Sequence, residues 1–284
     1  MYTDDPDYVS ILAGNRYFPA PAFESAIASL NLADGARVLE IGTHHGGALP
    51  LLARAVGTTG SVLSVDGDPH CIALACDYVE QTGIADRVTV RLGDISEVLA
   101  DAATAPEKAF DAIWAYDVIL SMYFEEPADV VRQMAQALRP GGVVAVFYSN
   151  FHSSTFLPGH SHLERGLYSA SELHLGLPPD GPRHKGRHLA WLQAADLDNI
   201  SLTIHPRVCF PVDADPTLRP YLEHCVWPHL QKLAANYGAA AGLSAAEVDE
   251  IQRLTTPGHP DYILDEPGYY YVLPTTLATG RRPA

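Results

Sequence analysis

Ala36-Arg37-Val38-Leu39-Glu40-Ile41-Gly42-Thr43-His44-His45-Gly46-Gly47 decides how the rest of the chain reads. Arg37 to Ile41 is a short, mostly apolar run of the kind a strand buried on both faces requires. A glycine-containing turn follows, and Ala48 to Val56 then has the composition of a helix closed by Gly57. Glycine allows backbone at positive φ and close approach to a ligand, and the next helix begins with amide N–H groups that no carbonyl of its own can satisfy. By itself the stretch could be a tight strand-to-helix turn or an anion-holding loop.

The same unit recurs downstream. Ser61 to Asp66 reads as a second strand, with Asp68-Pro69 as N-cap and first turn of a helix running to Gln81 and stopping at Gly83. Arg87 to Leu92 is a third strand, followed by a helix from about Ser96. Phe110 to Ala115 is a fourth, then a helix from Pro127 to Leu138, the turn Pro140-Gly141-Gly142 and a fifth strand, Val143 to Tyr148. Strands separated by helices imply right-handed crossovers and an α/β, Rossmann-like, doubly wound sheet that binds its ligand beyond the carboxyl ends of the strands.

The chemistry is therefore sought at those strand tips. Asp66 can accept hydrogen bonds from two ribose hydroxyls, a task Asp68 leaves it free for by being better placed as the cap. Asp94, in Gly93-Asp94-Ile95, could hold an adenine amino group while Ile95 packs on the ring; it could equally cap the next helix. In combination, Glu40-x-Gly42, Asp66, Gly93-Asp94 and Leu138-Arg139-Pro140-Gly141-Gly142 fall in order at successive strand ends. The pattern over about residues 20–150 resembles the class I S-adenosylmethionine-dependent methyltransferases. The resemblance implies that Gly42 holds the methionine part of the cofactor, Asp66 the ribose and Asp94 the adenine, with Glu40 supporting the glycine turn. Gly67 and Tyr116, at the tips of the second and fourth strands, are counted with them. His44 stands where the family's Gly-x-Gly-x-Gly loop has its middle glycine. Thr43 and Gly46 resemble the Gly-Thr-x-x-Gly variant of some O-methyltransferases, so Thr43 or the amide of His44 is expected to touch the cofactor. A dinucleotide-binding Gly-x-Gly-x-x-Gly is absent from this turn. The resemblance also implies seven strands, mostly parallel, with the last antiparallel at the sheet edge.

The remainder should build the acceptor site. Residues 1–35 read as a helical segment over the cofactor, whose Tyr8, Tyr17 and Phe18, with Tyr148, are expected to line an acceptor pocket. Residues 36–150 form the cofactor core and 151–187 a lid loop. Residues 188–206 and 268–280 complete the sheet, and 207–267 form a helical substrate cap. The last strand is read in the run from Tyr269 to Ala278, where Pro274 suits an edge or a bulge. Methyl transfer needs a base only if the acceptor is still protonated, and histidine suits a hydroxyl. His152, His160 and His162 are the candidates, and Asp117 could orient the acceptor. Arg16 could pair with the cofactor's carboxylate or make a surface ion pair. The seven histidines between residues 152 and 205 match no zinc framework, so no metal is expected.

Composition bounds the partners. Acidic residues outnumber basic ones 34 to 18, for a net charge of -16, which repels phosphate backbones and anionic lipid surfaces. The expected partner is a weakly charged or cationic small-molecule methyl acceptor, with no nucleic acid and no membrane, and with a homodimer left open. Four cysteines without a Cys-x-x-Cys pair, and no apolar run near the ~20 residues a bilayer span needs, give the expectation of a reduced, cytoplasmic protein; the resemblance implies an enzyme of small-molecule biosynthesis.

Overall fold

The computed structural model describes residues 16–284, except the side chain of His152. Two compact units divide the chain. The first takes the described residues up to Ser149, then Asp180–His205 and Thr275–Ala284; the second takes Asn150–Pro179 and Pro206–Pro274.

The first unit opens with helix α1 (Ala20–Ser29) and then alternates β1 (Arg37–Ile41), α2 (Leu49–Ala55), β2 (Ser61–Asp66), α3 (Pro69–Thr82), β3 (Val88–Leu92), α4 (Ile95–Thr104), β4 (Phe110–Tyr116), α5 (Pro127–Gln136) and β5 (Leu138–Tyr148). Local chemistry sets these boundaries. The Asp68 carboxylate accepts the His70 amide at the start of α3, and Gly83 closes that helix in the left-handed conformation at φ +66°. The Arg139 guanidinium meets both carboxylate oxygens of Asp111 at 2.9–3.0 Å, joining the starts of β4 and β5. Strand β5 begins at Leu138, so the Leu-Arg-Pro-Gly-Gly segment, read as a turn, is strand with a register shift against β4.

In the second unit, α6 (Ser161–Leu175) occupies ground read as a lid loop. Leu163, Leu167 and Ala170 share its buried face. After α6 the chain returns to the first unit for α7 (His188–Ala194) and β6 (Asp198–Ile204). It then supplies β7 (Arg207–Cys209), α8 (Leu218–Tyr221), a π turn over Leu222–Val226, α9 (Trp227–Tyr237), α10 (Ala245–Leu254) and β8 (Tyr271–Leu273) to the second. Helices α8 to α10 lie within residues 207–267, and β7 pairs antiparallel with β8. Strand β9 (Thr276–Arg281) closes the chain's path in the first unit.

The first unit's sheet has seven strands in the order β3-β2-β1-β4-β5-β9-β6. β1 to β5 are mutually parallel where they pair, and β9 runs antiparallel to both β5 and β6. The last strand is antiparallel, as the resemblance implied, but it lies between β5 and β6, and β6 forms the edge. The run from Tyr269 to Ala278 is also two strands rather than one, β8 and β9, because Pro274 lacks the N–H a continuous ladder would need.

The sheet core is aromatic and aliphatic. Trp114 stacks on Phe147 at 5.1 Å, and Phe23 of α1 packs on both Tyr116 and Phe147. Each such wholly buried side chain contributes roughly 1.5–3 kcal/mol of burial. No helix among the described residues is long and apolar enough to cross a membrane.

Candidate functional site

A cleft of about 800 Å³ lies at the carboxyl ends of β1, β2, β3 and β4, entirely within the first unit. It brings together Gly42, His44, Asp66, Gly67, Asp94 and Ile95 from the expected cofactor set. Its other wall, Val118 with Met122, Tyr123 and Phe124, comes from the segment after β4.

The turn after β1 shapes the floor. Gly42 sits at φ +79°, and a Cβ there would come within 2.9 Å of the Val118 Cβ. His44 sits at φ +48°, a region that costs a side-chain-bearing residue roughly 1–2 kcal/mol. Its ring Nε2 lies 2.9 Å from the Tyr116 carbonyl and its amide donates to the Asp66 carboxylate at 3.1 Å. Asp66 uses its other oxygen to accept the Asp68 amide at 2.9 Å. Asp94 accepts the Ser96 amide as the N-cap of α4 and also lines the cleft.

Glu40 and Thr43 lie behind the cleft. Ser64 donates to the Glu40 carboxylate at 2.5 Å and meets the Thr43 hydroxyl at 2.5 Å, forming a buried chain from β1 through β2 to the turn. Burial pushes the Glu40 carboxyl up to about 8, with the charge of Asp66 adding to the shift and the Ser64 hydrogen bond opposing it. His45 is also buried, which drives its imidazole down to about 3, and its Nδ1 accepts the Gly47 amide. Gly46, at φ +74°, faces Ala75 of α3. The Arg16 guanidinium donates to the carbonyls of His45 and Leu74 and stacks 4.3 Å over Tyr78, bracing the turn and α3.

Other expected residues lie elsewhere. Tyr116 is buried in the sheet core, Phe18 is wholly buried, and Tyr17 is exposed. Tyr148 is buried, with its ring stacked on His188 at 5.9 Å. Tyr8 lies outside the described residues, and so does the side chain of His152. Asp117, at φ +46°, accepts the Ser149 amide at 2.9 Å; burial raises its carboxyl pKa against that hydrogen bonding. In the second unit, His160 pairs with Glu250 at 3.2 Å and His162 with Glu247 at 2.7 Å, both acids on α10. The wall from Met122 to Phe124 escaped the sequence reading. Its only signal was an apolar and aromatic run directly after a strand.

Carboxylates at consecutive tips of a parallel sheet, over open backbone, are acceptors placed in the crevice where α/β proteins of this class bind their ligands. The family model for a methyltransferase domain matches residues 32–176, and the chain belongs to that family, the class I S-adenosylmethionine-dependent methyltransferases. Its cofactor is S-adenosylmethionine. The residues present fit it. A Cβ on Gly67 would meet nothing within 4 Å, so the backbone there is open to a ligand. Asp66 and Asp94 offer acceptors to hydroxyl and amino groups, and the described lining holds acids but no lysine or arginine, which suits a sulfonium cation.

Among known proteins, the tRNA (adenine(58)-N(1))-methyltransferase TrmI of Thermus thermophilus is 36% identical over 121 residues, 43% of each chain. The methyltransferase GfsG of Streptomyces halstedii is 32% identical over 160 residues, 51% of each chain. The chain thus spans about half the length of these curated relatives. A chain from the complex of the Haloferax volcanii Trm112 methyltransferase activator with a candidate methyltransferase superposes with a TM-score of 0.55 at 16% identity, covering 100% of this chain and 98% of that one. A candidate methyltransferase from Bacillus halodurans C-125 gives 0.52 at 15% identity, covering 92% and 99%. Both of these likenesses are of fold.

Proposed function

We propose that the protein transfers the methyl group of S-adenosylmethionine to a small-molecule acceptor, at oxygen, in a biosynthetic pathway. The observation that carries the reading is the cleft in which Asp66 and Asp94 face open backbone at Gly67 from neighbouring strand tips. The cofactor supplies an electrophilic methyl on a sulfonium. The chain's residues bind and orient it: Asp66 at the ribose, Asp94 and Ile95 at the adenine, and the turn from Gly42 to Gly46 at the amino-acid end. Val118, Met122, Tyr123 and Phe124 keep water from that face of the cleft. The hydrogen-bonded chain from Glu40 through Ser64 to Thr43 fixes the turn from behind the cleft.

An acceptor hydroxyl needs a base, and His152, four residues past the end of β5, is proposed for it. His160 and His162, engaged by the acids of α10, and Asp117, engaged by the Ser149 amide, are less available. The relative TrmI is a tRNA methyltransferase, but a net charge of -16 opposes polyanion binding, and the family match stops at residue 176. The segments beyond it are proposed to select a small, weakly charged or cationic acceptor. A related fold could instead serve rearrangement or cyclisation, which product analysis with labelled cofactor separates from methylation.

Calorimetry with S-adenosylhomocysteine tests the site. Asp66→Ala and Asp94→Ala should each weaken binding by roughly ten- to hundredfold, as expected for hydrogen bonds to charged groups. Parent-like affinity in both variants overturns the reading.

A further inference from the structure

Strand β6 ends the seven-stranded sheet, and among the described residues no strand pairs with its outer side. Alternation puts Ile200, Leu202 and Ile204 on one face of it. That row is aliphatic, yet Leu202 is 47% and Ile204 64% exposed, whereas the aliphatic residues of β1, and of β5 from Val143 onward, are buried. The ladder with β9 fixes which way the backbone points. The His205 amide donates to the Thr275 carbonyl at 2.8 Å, and one register runs from there back to Ser201 opposite Thr279. Bonded residues alternate with unbonded ones in an antiparallel pair. Ser201, Thr203 and His205 therefore turn their backbone groups toward β9, and Leu202 and Ile204 turn theirs outward. Sheet edges commonly carry lysine, proline or a bulge that keeps another strand from adding. Here the register shift, with Asn199 at φ +50°, comes before Ser201, and Ser201 to Ile204 holds no lysine, arginine or proline.

A second copy of the same strand fits this edge. Run antiparallel about a two-fold axis through Leu202, its outward groups at Leu202 meet those of Leu202 here, and Ile204 meets Ile200. One face then pairs leucine with leucine and isoleucine with isoleucine, and the other pairs Thr203 with Ser201. Charge favours the same occupant. A molecule of net charge -16 repels its copy wherever carboxylates oppose. In this register Asp198, the strand's one charged residue, falls opposite position 206, a proline, so the two carboxylates stay apart. We propose that the protein is a two-fold dimer in which β6 of each copy extends the other's sheet. The cleft lies at the tips of β1 to β4, separated from β6 by β5 and β9, so the pairing strand takes no part in it.

Sedimentation equilibrium of the full chain tests this. The parent should associate as monomer and dimer with a Kd of roughly 1–10 μM, weak as suits an interface built on one strand. Leu202→Lys sets two ammonium groups against each other on the axis and should raise that Kd by about a hundredfold or more, while melting with the parent because the side chain is half exposed. Leu202→Cys should link the two copies by a disulfide under mild oxidation, since bonded cross-strand pairs hold their Cα atoms about 5.5 Å apart, within reach of that bond. The parent, with its own four cysteines, is the control and should not link. A parent that stays monomeric at about 100 μM would leave the edge to some other chain and overturns the proposal. So does a dimer that Leu202→Lys leaves intact, or one that Leu202→Cys fails to link.

Discussion

Two glycines of the cleft should respond differently to the same added methyl group. At Gly42 the new Cβ would collide with Val118 and sit at φ +79°, so Gly42→Ala should destabilise the fold by about 2 kcal/mol or more and lower its melting temperature. At Gly67 it would meet open space, so Gly67→Ala should melt with the parent and yet bind S-adenosylhomocysteine more weakly. Parent-like affinity in a well-folded Gly67→Ala would mean that the open backbone faces no ligand. Glu40 gives a pH prediction. Its folded carboxyl titrates near 8 against an ordinary 4.5, so between those values the folded state binds more protons than the unfolded one. That contribution is complete below about pH 4.5 and lost as pH rises through 8. Thermal melts from pH 6 to 9 should therefore slope downward in the parent and less so in Glu40→Gln; parallel slopes would mean that Glu40 titrates normally.

Helix α10 offers a local test in the second unit. Ser244 and Glu247 form a reciprocal capping box, and hydrogen bonds from Ser244 hold the Glu247 carboxyl below its ordinary pKa. Ser244→Ala should cost about 1 kcal/mol and speed hydrogen exchange in the first turn of α10 by roughly fivefold; unaltered exchange there would show the cap to be idle. The caps and punctuation that set α3 and α10 are local, which is why the strands and helices up to β5 could be read directly. The carboxylates that line the cleft were readable for a related reason: in a parallel sheet, position in sequence at a strand end is position at the cleft. What escaped reading depends on distant partners. Leu163, Leu167 and Ala170 already had helical spacing, but Pro158-Gly159 and Pro178-Pro179 on either side made α6 look like a loop. The wall at Met122 to Phe124 lies in irregular chain with no period to mark it. The place of β9 between β5 and β6 is a matter of strand order, which no local pattern encodes.

Charge acts over the molecule entire. With a net charge of -16 and an acid-lined cleft, the protein should show no binding to total tRNA in fluorescence anisotropy at about 50 mM salt, where electrostatic attraction to phosphates is strongest. Micromolar affinity that weakens steeply with salt would overturn the small-molecule reading in favour of a nucleic-acid acceptor. Connectivity imposes a second condition. β5 and β6 never touch each other; each is bonded to β9, which is drawn from residues 276–281. During synthesis, both neighbours must therefore wait with bare ladder edges until the final rung emerges from the ribosome. A chain cut before Thr276 would keep every residue of the candidate cleft and still expose two sticky strand margins, so it should aggregate rather than fold into a smaller enzyme.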